Sequence, residues 1–199
     1  MKKIYFLAAL ALVAMSCQQP ANKSQQSAAT DSTVTAAAQP KVDAYTSATN
    51  SGEKLTKKEM AKPEAVAFIA NFMKDCPNFF LASTDPQRPH VRPLGMNFVY
   101  NGNYYIGVGD FKASYKELCA NPNIEICAMS KKPGSWMRII ATVVPDTTSA
   151  AQEEAFKSMP QLKKMYNETT GHKIGLFYLS KVHAEFSNAQ QGFDVIEFE

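Results

Sequence analysis

Between Phe79 and Ser187 the chain is a succession of short runs rich in aromatic and β-branched residues, each closed by a turn signal. This alternation constrains the fold more than any other feature, because such runs pack well on a pleated surface and poorly in helices. Phe79 to Thr84 is the first, closed by Asp85-Pro86; His90 to Tyr100 is the second. Asn101-Gly102 follows, the dipeptide that a two-residue hairpin demands, and Asn103 to Val108 is the returning strand. Ile124 to Met129, Trp136 to Val144 and Ile174 to Ser187 continue the series, and Val195 to Phe198 reads as a short last strand. Three helical segments interrupt it. Lys62-Pro63-Glu64 starts one, with proline at the first turn and an acid beside it; its apolar face is Val66, Phe68, Ile69, Phe72 and Met73, and Cys76-Pro77 ends it. Ser114 to Ala120 is closed by Asn121-Pro122, and residues 149–167 read helical with a break at Pro160. The pattern predicts a mainly β domain with flanking helices, a small barrel, over residues 57–199.

The residues before it have a different character. Lys2 and Lys3 precede an apolar run from Ile4 to Val13 that is shorter than the roughly 20 residues a bilayer span requires. Residues 1–16 therefore read as a signal peptide. Ala14-Met15-Ser16 lead into Cys17, which resembles the lipobox of bacterial lipoproteins, where cleavage precedes an acylated cysteine. A plain secretory signal with an incidental Cys17 is the alternative. The resemblance implies an extracytoplasmic protein held on a membrane by its acyl chains, and Gln18 implies sorting to the outer membrane of a Gram-negative bacterium. Residues 17–56 are dominated by Gln, Ala, Ser and Thr, too few large aliphatics to offset ordering entropy, and read as a flexible linker.

Charge and cysteine usage exclude several functions. The net charge is +3, and removal of Lys2 and Lys3 leaves the chain nearly neutral, so no nucleic-acid surface is expected. Cys76, Cys119 and Cys127 form no CxxC pair, and His90, His172 and His183 are scattered, so no metal site is expected. Cys127 lies in an apolar run and is expected in the core. No nucleophilic triad or carboxylate pair is evident; Ser83 and His90 are near in sequence, with no acid placed beside them.

Three cations are spaced along the β region: Arg92, Lys112 and Arg138. Gly107-Val108-Gly109-Asp110-Phe111-Lys112-Ala113-Ser114 joins a strand to a helix and offers what a phosphate needs, namely close backbone approach, a cation and a helix N-terminus. A solvated lysine is the plain alternative reading of Lys112.

The order His90-Val91-Arg92-Pro93-Leu94-Gly95, Tyr104-Tyr105-Ile106-Gly107, Lys112 to Leu118, Asn121-Pro122-Asn123-Ile124-Glu125 and Trp136-Met137-Arg138-Ile139 resembles the pyridoxamine 5'-phosphate oxidase-like family of flavin-binding split barrels, in its general-stress-protein-like branch. The resemblance covers roughly residues 63–187. It implies a six-stranded split β-barrel with flanking helices, a homodimer, and FMN in the groove between subunits. Carried over residue by residue, Arg92 approaches the phosphate and ribityl chain, Pro93 and Leu94 border the ring system, and Ile106 and Gly107 lie beside it. Lys112 is a phosphate cation, and Lys116 is either a second one or solvent-facing. Trp136 either contacts the flavin from the partner subunit or is a core residue, and Arg138 is either a ligand donor or half of an ion pair. Some members carry a further cation where Gly95, Met96 and Asn97 stand, and a small or polar residue where Val108 and Gly109 stand. The chain ends Gln191 to Glu199 with no Arg or His, whereas the true oxidase recognises its vitamin substrate there with both. The resemblance thus implies an FMN-dependent oxidoreductase for another small molecule. The alternatives are a flavin or haem carrier without turnover, or a split barrel that has lost its cofactor.

Overall fold

The strands read from the sequence are built around one long element. A computed structural model describes residues 55–188 and 192–199. Residues 1–54, which hold the expected signal segment, Cys17 and most of the linker, lie outside the described residues. The strands are β1 (Leu55–Lys57), β2 (Phe79–Thr84), β3 (Pro89–Leu94), β4 (Asn97–Tyr100), β5 (Asn103–Gly109), β6 (Asn123–Met129), β7 (Trp136–Asp146), β8 (Ile174–Asn188) and β9 (Gly192–Phe198). The helices are α1 (Lys62–Lys74), α2 (Ala113–Ala120) and α3 (Ser149–Ser158), and a 3-10 segment spans Pro160–Lys164.

The main strand order is β1-β9-β8-β7-β6-β2-β3, and β5, hairpinned to β4, also pairs with β8. The 15-residue β8 is the branch point. Its first half, from Ile174, lies between β5 and β7; its second half, from Val182, lies between β9 and β7. Between the halves the β7 register shifts: Ile140 faces His183 and Thr142 faces Ser180, with Lys181 at φ 51. An inserted residue in one strand bends and twists a sheet, and here it marks the place where β8 exchanges one neighbour for another. The result is a split barrel. Two strands exceed those read from the sequence. Leu55–Lys57 adds a parallel edge on β9, taking in the last positions of the expected linker. The run His90 to Tyr100 is two strands, broken at Gly95-Met96, of which β3 pairs with β2 and β4 with β5.

Alternation along the strands creates two apolar layers. Phe79, Leu81, Tyr104, Ile106, Ile126, Met137, Ile139, Phe177 and Leu179 fill the barrel, and Ala65, Val66, Ile69 and Met73 of α1 pack on them. Each large side chain buried this way contributes about 1.5–3 kcal/mol. Phe68 is 41% exposed but sets its ring edge against Phe186, with centroids 4.9 Å apart. Outside the barrel, Ala151 and Ala155 of α3 and Leu162 cover Met96, Phe98, Tyr105, Ile174 and Leu176. Thr148 caps α3, its hydroxyl accepting the Ala151 N–H. The helix ends at Ser158 and the chain restarts at Pro160 as a 3-10 turn, the break expected at that proline.

The expectation for Cys127 is corrected. It is exposed, because β6 alternates strictly and buries Ile124, Ile126 and Ala128 instead. Apolar composition alone does not tell which of two faces a residue takes.

Candidate functional site

Among the described residues, the outward face of β3, β2 and β6 keeps its side chains exposed or half-buried. Register places Val91 beside Ala82 and Glu125, and Pro93 beside Phe80, Cys127 and Arg138. Val91 is 66% exposed, Phe80 45% and Met129 64%. Exposed apolar side chains therefore share this face with Glu125 and Arg138.

The eight residues expected around a flavin fall into four places. Pro93 is exposed on this open face. Trp136 lies on it too, but at the far end: β3 and β7 are separated by β2 and β6, roughly 14 Å at ordinary strand spacing. Its ring meets Phe193 edge-on, centroids 5.4 Å apart. Arg92 and Leu94 point to the other side of β3, where Leu94 packs on the core. Lys112 and Lys116 are exposed on α2, Lys112 as its N-cap residue with no side-chain cap bond. Ile106 is wholly buried in the barrel. Gly107 is covered by Met96, whose thioether would overlap any Cβ built there. Arg92, Lys112 and Lys116 are therefore gathered around α2, Pro93 and Trp136 share a surface without touching, and Ile106 and Gly107 are enclosed.

Arg92 is already engaged. Its two terminal nitrogens donate to the two carboxylate oxygens of Glu117 at 2.7 Å each, and one also reaches Ser83 Oγ at 3.2 Å. Ser83 donates to Glu117 Oε2 at 2.7 Å. His90 Nε2 lies 2.8 Å from Asp85 Oδ2 and 3.8 Å from Glu117 Oε1. The Arg92 hydrogen bonds hold the Glu117 carboxyl below the usual range, against the opposing effect of burial. The His90 hydrogen bond, with the N–H groups of Arg88 and Gln87, brings Asp85 down to about 2. Sequence reading placed no acid beside Ser83 and His90 and so passed over Glu117, which bonds Ser83, and Asp85, which bonds His90. A signal existed: Ser114, Glu117 and Leu118 share the buried face of α2 at helical spacing, which puts a carboxylate where an apolar residue belongs.

Arg138 is likewise the ion-pair half of its two readings. It donates to Glu185 Oε2 at 2.8 Å, while Glu125 lies 3.7 Å from its Nε. Glu185 is fully buried, and His183 is 3.3 Å from its other oxygen.

A separate cavity of about 570 Å³ lies behind α2 and beneath α3, lined by Asp110, Tyr115, Asp146, Phe156, Tyr166 and His172 among others. None of the eight residues expected around a flavin lines it. Asp146 accepts from Tyr105 Oη, Thr148 Oγ1 and the Thr148 N–H, so its carboxylate is committed to holding α3 against β5.

As a test for a phosphorylated flavin, these residues fit in part. An open apolar face, two exposed lysines and an uncapped helix N-terminus suit a planar ring with an anionic tail. The arginine expected to grip that tail holds a carboxylate.

No protein-family model matches the sequence, and no curated protein matches it significantly. Solved structures do. A NimC/NimA family protein from Clostridium acetobutylicum is 29% identical, covers 69% of this chain and 94% of its own, and superposes with a TM-score of 0.64. A protein of the same organism related to general stress protein 26, of the pyridoxinephosphate oxidase family, shares the fold at 8% identity, 69% and 95% coverage and a TM-score of 0.51. A heme binding protein from Mycobacterium smegmatis shares it at 15% identity, 69% and 58% coverage and a TM-score of 0.50. The branched β8, the order of strands and these likenesses agree with the resemblance seen in the sequence: the chain has the split-barrel fold of pyridoxamine 5'-phosphate oxidase-like proteins.

Proposed function

We propose that this protein is a flavin-binding oxidoreductase that acts as a homodimer, with FMN lying between subunits and a small molecule as its substrate. The open face bearing Phe80, Val91, Pro93 and Met129 carries the reading. Its Phe80, Val91 and Met129 are exposed, and α2, whose lysines suit a phosphate, lies on the other side of the edge strand β3. A second copy placed on this face would bring its own Trp136 toward Pro93, which no single copy achieves across two intervening strands. The flavin supplies the two-electron step. The protein's part is to exclude water from the ring through the apolar side chains of the open face, and to hold the anionic tail through Lys112 and Lys116. Export, and anchorage at Cys17 on the outer membrane, follow from the sequence before the barrel and belong to the same proposal. Substrate and reductant would then be met outside the cytoplasm.

Two measurements test this. Protein purified in detergent should take up FMN with quenching of flavin fluorescence; absence of uptake ends the flavin reading, and a Soret band on haem addition instead supports the carrier alternative. Phe80→Asp should convert a dimer to a monomer in sedimentation; a wild-type monomer, or a variant that remains dimeric through another face, removes the interfacial site.

A further inference from the structure

We infer that Glu117 stands in for a ligand phosphate on Arg92, so that the protein selects its planar ligand by the ring and not by an anionic tail. The inference rests on the flavin reading for its ligand, but its geometry is independent of it.

The guanidinium presents its terminal edge, and both nitrogens there are used by one carboxylate at 2.7 Å. This is the bidentate geometry in which arginine would otherwise bind a phosphate. Glu117 is 9% exposed and satisfied by a third donor, Ser83. It cannot readily swing aside, because its helix neighbours Ser114 and Leu118 are buried at 2% and 1% exposure. Asp85 adds a second carboxylate to the cluster through His90. An incoming phosphate would meet a buried carboxylate 2.7 Å from the cation it seeks. It would have to displace charge-assisted hydrogen bonds, each worth roughly ten- to a hundredfold in an equilibrium. What remains for an anionic tail is Lys112 and Lys116, both exposed, whose charges are screened by water.

The experiment compares FMN with riboflavin, which share the ring and differ in the phosphate, by fluorescence titration of the full chain in detergent. Wild-type protein should bind the two within about tenfold of each other, since screened lysines alone sense the phosphate. Glu117→Gln keeps the size and the Ser83 contact but removes the charge, and its preference for FMN should rise by about ten- to a hundredfold as Arg92 is freed. Inorganic phosphate should raise the melting temperature of Glu117→Gln and leave that of wild type unmoved. A wild-type preference for FMN above about a hundredfold, lost on Arg92→Met, would show that Arg92 binds the phosphate and would overturn the inference. An unchanged ratio and no phosphate response in Glu117→Gln would overturn it equally. If neither flavin binds either protein, the flavin reading fails, and the phosphate response of Glu117→Gln still decides whether Glu117 masks an anion site.

Discussion

Two arginines singled out in the sequence meet the same fate in different ways. Arg92 sits on the edge strand β3 and reaches across to α2, where it forms a two-pronged bond with Glu117. Arg138 sits in mid-sheet on β7, opposite Glu185 on β8 in the cross-strand register, and makes one bond of 2.8 Å. The better hydrogen-bond geometry belongs to the more accessible pair: the Arg92 side chain is 30% exposed, that of Arg138 13%, and Glu185 is 0% exposed. Arg138 even keeps a buried Nε without a hydrogen bond. Geometry and desolvation thus pull in opposite directions. The pair at the edge is strong because it is well formed; the pair in the sheet is consequential because neither charge can be left alone.

That contrast sets the first prediction. Arg138→Met leaves Glu185 buried with His183 as its remaining ion-pair partner among the described residues, and an uncompensated buried charge typically costs about 3–5 kcal/mol. Chemical unfolding of the variant should show a loss in that range. Arg92→Met should cost less, about 1–3 kcal/mol, because Ser83 still donates to Glu117 and solvent reaches the cluster. Equal losses would mean that burial does not separate the two pairs. Lysine substitutions should reverse the order. Lysine cannot reproduce a fork, so Arg92→Lys forfeits one of two good bonds, about 1–1.5 kcal/mol, whereas Arg138→Lys retains the single bond Arg138 makes to Glu185. A larger loss at position 138 would show that Arg138's packing, rather than its hydrogen bond, holds that pair.

The same two pairs show what sequence can convey. The hairpin at Asn101-Gly102 was legible because both residues take the positive φ that this dipeptide favours, 47° and 71°. The barrel strands were legible from their apolar alternation. The break at Gly95-Met96 was not, since Leu94, Met96 and Phe98 continue the alternation through it; the change of partner strand is a tertiary event. β1 was not, because three residues form no pattern. The site was legible as a set of positions and not as a set of directions. Arg92 and Pro93 are adjacent in sequence and point to opposite sides of β3, and Ile106 points into the core while the chain around it runs past the site. The carboxylates that occupy both arginines come from 25 and 47 residues away, a distance over which local pattern carries no information.

Acid offers the gentlest way to separate the pairs. Asp85, lowered to about 2 by the His90 hydrogen bond and the Arg88 and Gln87 N–H groups, has an ordinary value of 3.8. Its contribution to stability is therefore fully present above the unfolded value and is lost as pH falls through about 2. Glu117, held below its ordinary 4.5 chiefly by Arg92, follows the same sign: its contribution is present above 4.5 and is lost once the folded carboxyl takes up a proton. The edge cluster should accordingly weaken on acidification from about pH 4.5 downward. Melting temperatures measured across that window should fall less steeply in Glu117→Gln, which has no carboxyl to protonate. Asp85→Asn should flatten the part of the curve below about 3.8, the ordinary value of that carboxyl. A wild-type curve that neither substitution flattens would show that the acid sensitivity lies outside the edge cluster, with the pair in the sheet as the next candidate.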